Sequence, residues 1–217
     1  MDMVRILIAL FFVTLMGCDR SEKKEAKYEN GQIKERYYAV RDAQGNYTVR
    51  NGPYAAWYES GNKKAEGIYK NGKLDGLQIV WYDNGQKRSE CAYRDGKLEG
   101  PQILLYGNGQ KRSQCTYKDG KPEGVYTKWY ENGRKKMEGT FKNGKLEGQS
   151  TFWYKNGQKR SEAAYRNGKG EGSYTIWYEN GKKQAQGVFK DGAVEEPNTI
   201  WDENGERETD DIRKEGR

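Results

Sequence analysis

Gln149-Ser-Thr-Phe-Trp-Tyr-Lys-Asn-Gly-Gln-Lys-Arg-Ser-Glu-Ala-Ala-Tyr165 is the stretch that decides the fold of this chain. Before its Asn156-Gly157 step, Thr151 and Trp153 fall on one side of an extended backbone, Phe152 and Tyr154 on the other. After it, Ser161, Ala163 and Tyr165 share a side opposite Arg160, Glu162 and Ala164. Period two, with aromatic and threonine enrichment, is a strand pattern. Asn-Gly supplies the positive-φ residues that a tight hairpin turn demands. The stretch is a β-hairpin.

Working outward, the hairpin repeats. Trp57-Tyr58, Trp81-Tyr82, Trp129-Tyr130, Trp153-Tyr154 and Trp177-Tyr178 share one register with a period of 24 residues, and Leu105-Tyr106 and Trp201-Asp202 fill the other two slots. A fixed period of this size marks an array of units, each covering its neighbour. A second turn series, Asn71-Gly72, Asp95-Gly96, Asp119-Gly120, Asn143-Gly144, Asn167-Gly168 and Asp191-Gly192, leaves two strands per unit. Gly76, Gly100, Gly124, Gly148 and Gly172 stand where a bulge is expected. Aliphatic residues are too sparse for a thick two-layer core, and the mean hydropathy is −1.19. The expectation is an all-β fold, a single-layer, twisted antiparallel meander of hairpins. Some fourteen strands at about 4.8 Å each would make a ribbon roughly 65 Å long.

The unit W-Y-x-N-G-x-K-x-x-E-x-x-Y-K-N-G-K-x-E-G resembles the MORN-repeat variant over about residues 51–205, with a degenerate copy at Tyr28-Glu-Asn-Gly31. That repeat is found in bacterial proteins grouped as YwqK-family toxin–antitoxin antitoxins. The resemblance implies a protein partner, and the antitoxin grouping implies that the partner is a toxin.

The N-terminus sets an address. Residues 6–16 form an apolar run broken only by Thr14, preceded by Arg5 and ending in Leu15-Met-Gly-Cys18. The run is too short to cross a hydrocarbon core, which needs about 20 residues, and it reads as a secretory signal. Leu15-Met-Gly-Cys18 resembles a bacterial lipobox, whose cysteine is acylated and becomes the first residue of the mature protein. Asp19 resembles an inner-membrane retention signal. The expected plan is a lipoprotein signal peptide at 1–17, a polar tether at 18–27, the repeat domain at 28–205 and a charged tail at 206–217. Such a chain is exported and lipid-anchored to the bacterial cell membrane through Cys18.

Charge is ordered in columns. The net charge is +7. Lys63, Lys87, Lys111, Lys135, Lys159 and Lys183 share one position; Lys64, Arg88, Arg112, Lys136 and Arg160 share the next. Acids answer them at Glu66, Glu90, Glu138 and Glu162, and again at Asp75, Glu99, Glu123, Glu147 and Glu171. One reading is a solvated face laced by cross-strand ion pairs. The other is a basic stripe that meets anionic headgroups or an acidic partner. Nucleic acid is not expected as a partner of an exported chain.

Several chemistries lack their residues. Histidine is absent, which removes Ser-His-Asp and Cys-His catalysis and the commonest zinc ligand. With Cys18 assigned to lipid, Cys91 and Cys115 remain, at a position filled elsewhere by Gly67, Gly139, Ala163 and Gly187. That column wants a small residue, and units two strands apart, about 9–10 Å, exceed disulfide reach. The carboxylates recur as near-identical copies, so no unlike pair stands out for glycoside chemistry. No glycine-rich turn carries a phosphate-loop ending. The expectation is a non-enzymatic binding protein without metal or cofactor.

Two features remain as candidate sites. The Trp column, Trp81, Trp129, Trp153 and Trp177, is either a packing ladder or a row of exposed rings for sugars or choline-like cations. Choline-binding wall repeats also set Trp, Tyr and Gly on hairpins, with a shorter unit. An envelope structural or glycan- and choline-binding lipoprotein is therefore the alternative to the protein-binding, antitoxin or immunity-type reading. The second candidate is a break in the pattern at residues 101–122: Leu105 replaces Trp, Gly107 replaces an acidic residue, and Pro122 replaces an apolar one. Proline belongs at edges, turns or bulges, so a bend opening a concavity at Leu105, Tyr106 and Gly107 is the expected docking site.

Overall fold

The computed structural model describes residues 21–41, 44 and 46–208. Sixteen strands run in chain order: β1 (Ser21–Lys27), β2 (Ile33–Arg41), β3 (Tyr47–Trp57), β4 (Lys63–Lys70), β5 (Lys73–Leu74), β6 (Gly76–Trp81), β7 (Lys87–Arg94) and β8 (Lys97–Leu105). They continue as β9 (Lys111–Lys118), β10 (Lys121–Trp129), β11 (Lys135–Lys142), β12 (Lys145–Trp153), β13 (Lys159–Arg166), β14 (Lys169–Trp177), β15 (Lys183–Lys190) and β16 (Ala193–Ile200). All pair antiparallel in one open sheet, each with its sequence neighbour. The short β5 pairs β4 and is cut from β6 at Asp75. This is the all-β hairpin meander that the alternation and turns require.

The two turn series differ. In the second, both central residues have positive φ, 49° and 78° at Asn71 and Gly72. That is the hairpin turn whose twist matches the flanking strands. In the first, the N–H of Gly85 bonds the Tyr82 carbonyl at 3.0 Å and the N–H of Tyr82 bonds the Gln86 carbonyl at 2.8 Å, closing a longer loop. The glycines at the expected bulges have positive φ, 73° at Gly148, and the β11–β12 register shifts there between Gly139 and Thr140.

Residues directly opposite each other share a face, and the pairings define two. Among the described residues, the packed face carries nine of the ten buried side chains, including Ala56, Cys91, Cys115, Met137, Ala163 and Ser150, and Thr127 lies on the other. The opposite, open face is lined by a continuous row from Arg36 through Ala55, Glu66, Ile79 and Glu90 to Thr199.

Two expectations about the ends change. Residues 21–27, assigned to the tether, form β1, the edge strand paired to β2 from Ser21↔Val40 onward. Its sequence SEKKEAK gives no apolar signal; cross-strand charge holds it, with Arg36 bonding Glu25 at 2.8 Å. Charged residues on an edge also discourage pairing with other chains. Between these ends, residues 36–41 and 47–50 lie in β2 and β3, which pair with register shifts near Ala39. At the far end, Arg207 bridges Trp201 and the N–H of Glu208 bonds the Ile200 carbonyl. The signal peptide, Cys18, Asp19 and residues 209–217 lie outside the described residues.

Candidate functional site

The aromatic columns tie each unit to the next. The hydroxyl of Tyr58 donates to the Trp81 carbonyl at 2.8 Å, and the same bond recurs from Tyr82 to Leu105, Tyr106 to Trp129, Tyr130 to Trp153, Tyr154 to Trp177 and Tyr178 to Trp201. Each such bond contributes about 1 kcal/mol net. The Trp rings are half-buried, including Trp81, Trp129, Trp153 and Trp177. Lys63 sits 5.4 Å from the centre of the Trp81 ring, one unit ahead; Lys111, Lys135 and Lys159 sit 5.7, 5.8 and 5.7 Å from the rings of Trp129, Trp153 and Trp177. An ammonium therefore stands where a choline-like cation would bind.

The same lysines are held from the other side. Lys63 and Lys135 each bond a carboxylate three residues on, Glu66 and Glu138, at 2.7 Å. Lys87 bonds Glu90 and Lys159 bonds Glu162. The Lys159 hydrogen bond holds the Glu162 carboxyl below the usual carboxylate range, outweighing partial burial. The neighbouring basic column is also engaged: Lys64, Arg88 and Lys136 lie over Tyr58, Tyr82 and Tyr130 at 5.3, 5.8 and 5.4 Å. The second acid column caps turns, Glu123 accepting from the N–H of Asn143 and Glu147 from that of Asn167. The repeat motif is a set of internal bonds.

At the pattern break, Leu105 ends β8 opposite Lys111, half-buried, and Tyr106 is half-buried as well. The exposed Gly107 uses its carbonyl to accept from Asn84 at 3.2 Å. Strands β8 and β9 keep the register of β12 and β13, Pro101 opposite Thr116 as Gln149 is opposite Ala164. The pairing runs on through both prolines, Pro101 on the open face and Pro122 opposite Tyr117 at the start of β10. What Leu105 changes is local: Lys87 has no ring beneath it.

Cys91 and Cys115 are buried, free thiols facing Gln102 from either side. Burial pushes both thiols up from their ordinary range, so they are poor nucleophiles. No group of metal-ligating side chains occurs among the described residues.

Two arrangements were not foreseen. Arg50, in the stretch 36–50, lies 4.4, 5.0 and 5.6 Å from the rings of Tyr37, Tyr54 and Tyr69 and bonds Glu35 at 2.9 Å. Burial works against its charge, yet the Glu35 carboxylate beside it raises the guanidinium pKa further. This cluster closes the packed face at its N-terminal end. The second is on the open face. Its columns begin apolar, with Pro53, Leu77, Pro101 and Val125 in one and Ala55, Ile79 and Ile103 in the next. Further along they turn polar, with Gln149 and Ser173 ahead of Pro197 in the first and Thr127, Thr151, Thr175 and Thr199 in the second. Ile68 and Leu77 are 51% and 50% exposed. A groove of about 380 Å³ is lined by Pro53, Ala55, Ile68, Leu77 and Ile79 together with Arg36 and Glu66, the last standing between Ala55 and Ile79.

Six consecutive segments match the MORN repeat variant: residues 50–71, 74–95, 98–119, 122–143, 146–167 and 170–191, together more than half of the chain. No curated protein matches the sequence.

Proposed function

The chain belongs to the MORN repeat variant family, and from that premise we propose that it is a membrane-anchored, non-enzymatic repeat protein that binds another protein. The observation that carries this reading is the open face: a sheet surface that no other element among the described residues covers, while the aromatic, basic and acidic columns are occupied by bonds within the array. Lys63, Lys111, Lys135 and Lys159 over the Trp rings count against the glycan- and choline-binding alternative. The finer proposal is an antitoxin or immunity-type role of the YwqK kind. Acylation at Cys18 places the protein in the envelope, so the toxin acts in the envelope or passes through it.

Two experiments separate the parts. Palmitate labelling of the wild type and Cys18→Ala tests the anchor; label on the wild type alone is expected, and equal labelling of both ends the lipoprotein reading. Pull-down with the mature protein as bait tests the binding role, with one stoichiometric protein expected. Co-expression then tests immunity: cells expressing the captured protein should lose viability without this chain and recover with it. A captured protein that is harmless alone refutes the antitoxin role.

A further inference from the structure

The open face gives its own control experiment. The columns headed by Pro53 and Ala55 occupy the same backbone positions in every unit, and the sheet forms equally with Leu77 and Ile79 or with Gln149 and Thr151. Nothing in the fold requires the apolar choices. Leucine and isoleucine half exposed to water on one half of a face, where threonine and glutamine serve on the other, indicate contact with something outside the chain.

Charge says what that something is. Ile68 is followed on the same face by Lys70, which stands directly opposite Lys73; Ala92 is followed by Arg94, opposite Lys97. Like charges directly opposite on a sheet are unfavourable. Among the described residues Lys70, Lys73 and Lys97 make no ion pair, and Arg94 reaches only Glu99, at 3.8 Å. The carboxylates within the patch are already taken, Glu66 by Lys63 and Glu90 by Lys87. Asp75 accepts from the backbone N–H of Asp95. The border therefore offers three lysines, Lys70, Lys73 and Lys97, without an ion pair among the described residues, beside an apolar floor. A second copy of this chain would bring the same cations against them.

We propose that the patch formed by Ile68, Leu77 and Ile79, bordered by Lys70, Lys73, Arg94 and Lys97, docks a protein segment that carries apolar side chains flanked by carboxylates. This deepens, and rests on, the protein-binding reading above. The apolar side chains fill the groove, and the carboxylates pair with the basic turns, where desolvation by the apolar floor strengthens them.

The probe is a labelled twelve-residue peptide of alternating leucine and glutamate, with one twin carrying lysine for glutamate and another carrying serine for leucine. Fluorescence anisotropy against the full chain should show the Leu/Glu peptide binding at least about tenfold more tightly than either twin. The double variant Leu77→Gln/Ile79→Thr introduces residues that the chain itself carries at Gln149 and Thr151, so it should fold, which circular dichroism checks; it should lose about tenfold in affinity. Lys70→Gln/Lys73→Gln should weaken the Leu/Glu peptide and flatten its salt dependence. Equal binding of the Leu/Glu and Ser/Glu peptides, or unchanged affinity in the folded double variant, overturns the proposal. So does a wild-type dimer in light scattering that the double variant lacks, because a second copy then occupies the patch. A partner captured equally by the wild type and the double variant sinks the patch and leaves protein binding standing; capture by neither, with no peptide bound, sinks both.

Discussion

The N-terminal and C-terminal halves of the open face share one backbone and differ in what they present to solvent. On alternate strands of the row across the sheet the first half carries Ala55, Ile79 and Ile103 and the second Thr127, Thr151, Thr175 and Thr199, while Glu66, Glu90, Gln114, Glu138, Glu162 and Gln186 stand between them in both. Isoleucine and threonine are both β-branched and suit a strand equally, so the sheet is indifferent between them. The side chains of this face consequently report on external contact, whereas those of the packed face report on folding. In a repeat array that separation can be read within one molecule, because every unit repeats the same backbone.

The comparison holds only if both halves are one scaffold, and the Trp column tests that with the largest effect. Trp81 and Trp153 each accept a Tyr hydroxyl at their carbonyl and carry a lysine over their ring. Truncating a fully buried Trp costs about 3–5 kcal/mol; these half-buried rings should lose about 2–3 kcal/mol. Trp81→Ala and Trp153→Ala should match in chemical denaturation. A gap above about 1 kcal/mol between them breaks the shared-scaffold premise.

Leu105 lies at the boundary of the halves and gives a smaller effect of opposite sign. Lys87 keeps Glu90 but has no ring. Leu105→Trp restores the column in a strand whose register already matches its neighbours, so it should gain about 0.5–1 kcal/mol through the ammonium over the ring. Thermal unfolding measures it. A loss of stability would mean that leucine is packed there for a reason the column does not capture.

Much of the scaffold is legible in the sequence because its signals are local. Asn156-Gly157 needs only its own backbone preference to mark a turn, and Thr151–Trp153 alternation needs only the period of a strand. The roles of the charged columns are not local. Lys63 and Glu66 do not face each other in an ideal strand, and they meet because the register shifts at Trp57↔Lys63. The ring under Lys63 belongs to the next unit. Arg50 needs a further step, since its partners Glu35 and Tyr37 reach it only through the shifted β2–β3 pairing. The strand β1 carries no apolar pattern at all, so composition alone assigned it to a tether. The open-face patch had a signal that went unread. Its columns change from Leu77 and Ile79 to Gln149 and Thr151, visible once the strands are sorted by face.

The smallest effect on stability is the sharpest test of the comparison. Grafting Thr140→Ile, Gln149→Leu and Thr151→Ile, the counterparts of Ile68, Leu77 and Ile79, rebuilds the apolar floor in the second half, where Lys142 opposite Lys145 and Arg166 opposite Lys169 already supply the basic border. If the open face is indifferent to folding, unfolding free energy should stay within roughly 0.5 kcal/mol, as for surface substitutions generally. If floor and border suffice to make a site, titration calorimetry with the Leu/Glu peptide should show a second binding event in the grafted protein. The graft leaves Glu162 bonded to Lys159, as Glu90 is to Lys87 in the natural patch, so the carboxylates of the new site are also taken. One obstacle is specific: the Gln149 amide donates to Glu162 at 2.9 Å, and leucine removes that bond while Lys159 keeps the carboxylate paired. A grafted protein that folds with unchanged stability and binds a single peptide would show that the proline pair Pro53 and Pro101, which the graft does not copy, shapes the natural groove. A grafted protein that loses more than about 1 kcal/mol would show that the polar half of the face contributes to the fold, and the two halves would then differ in structure as well as in what they display.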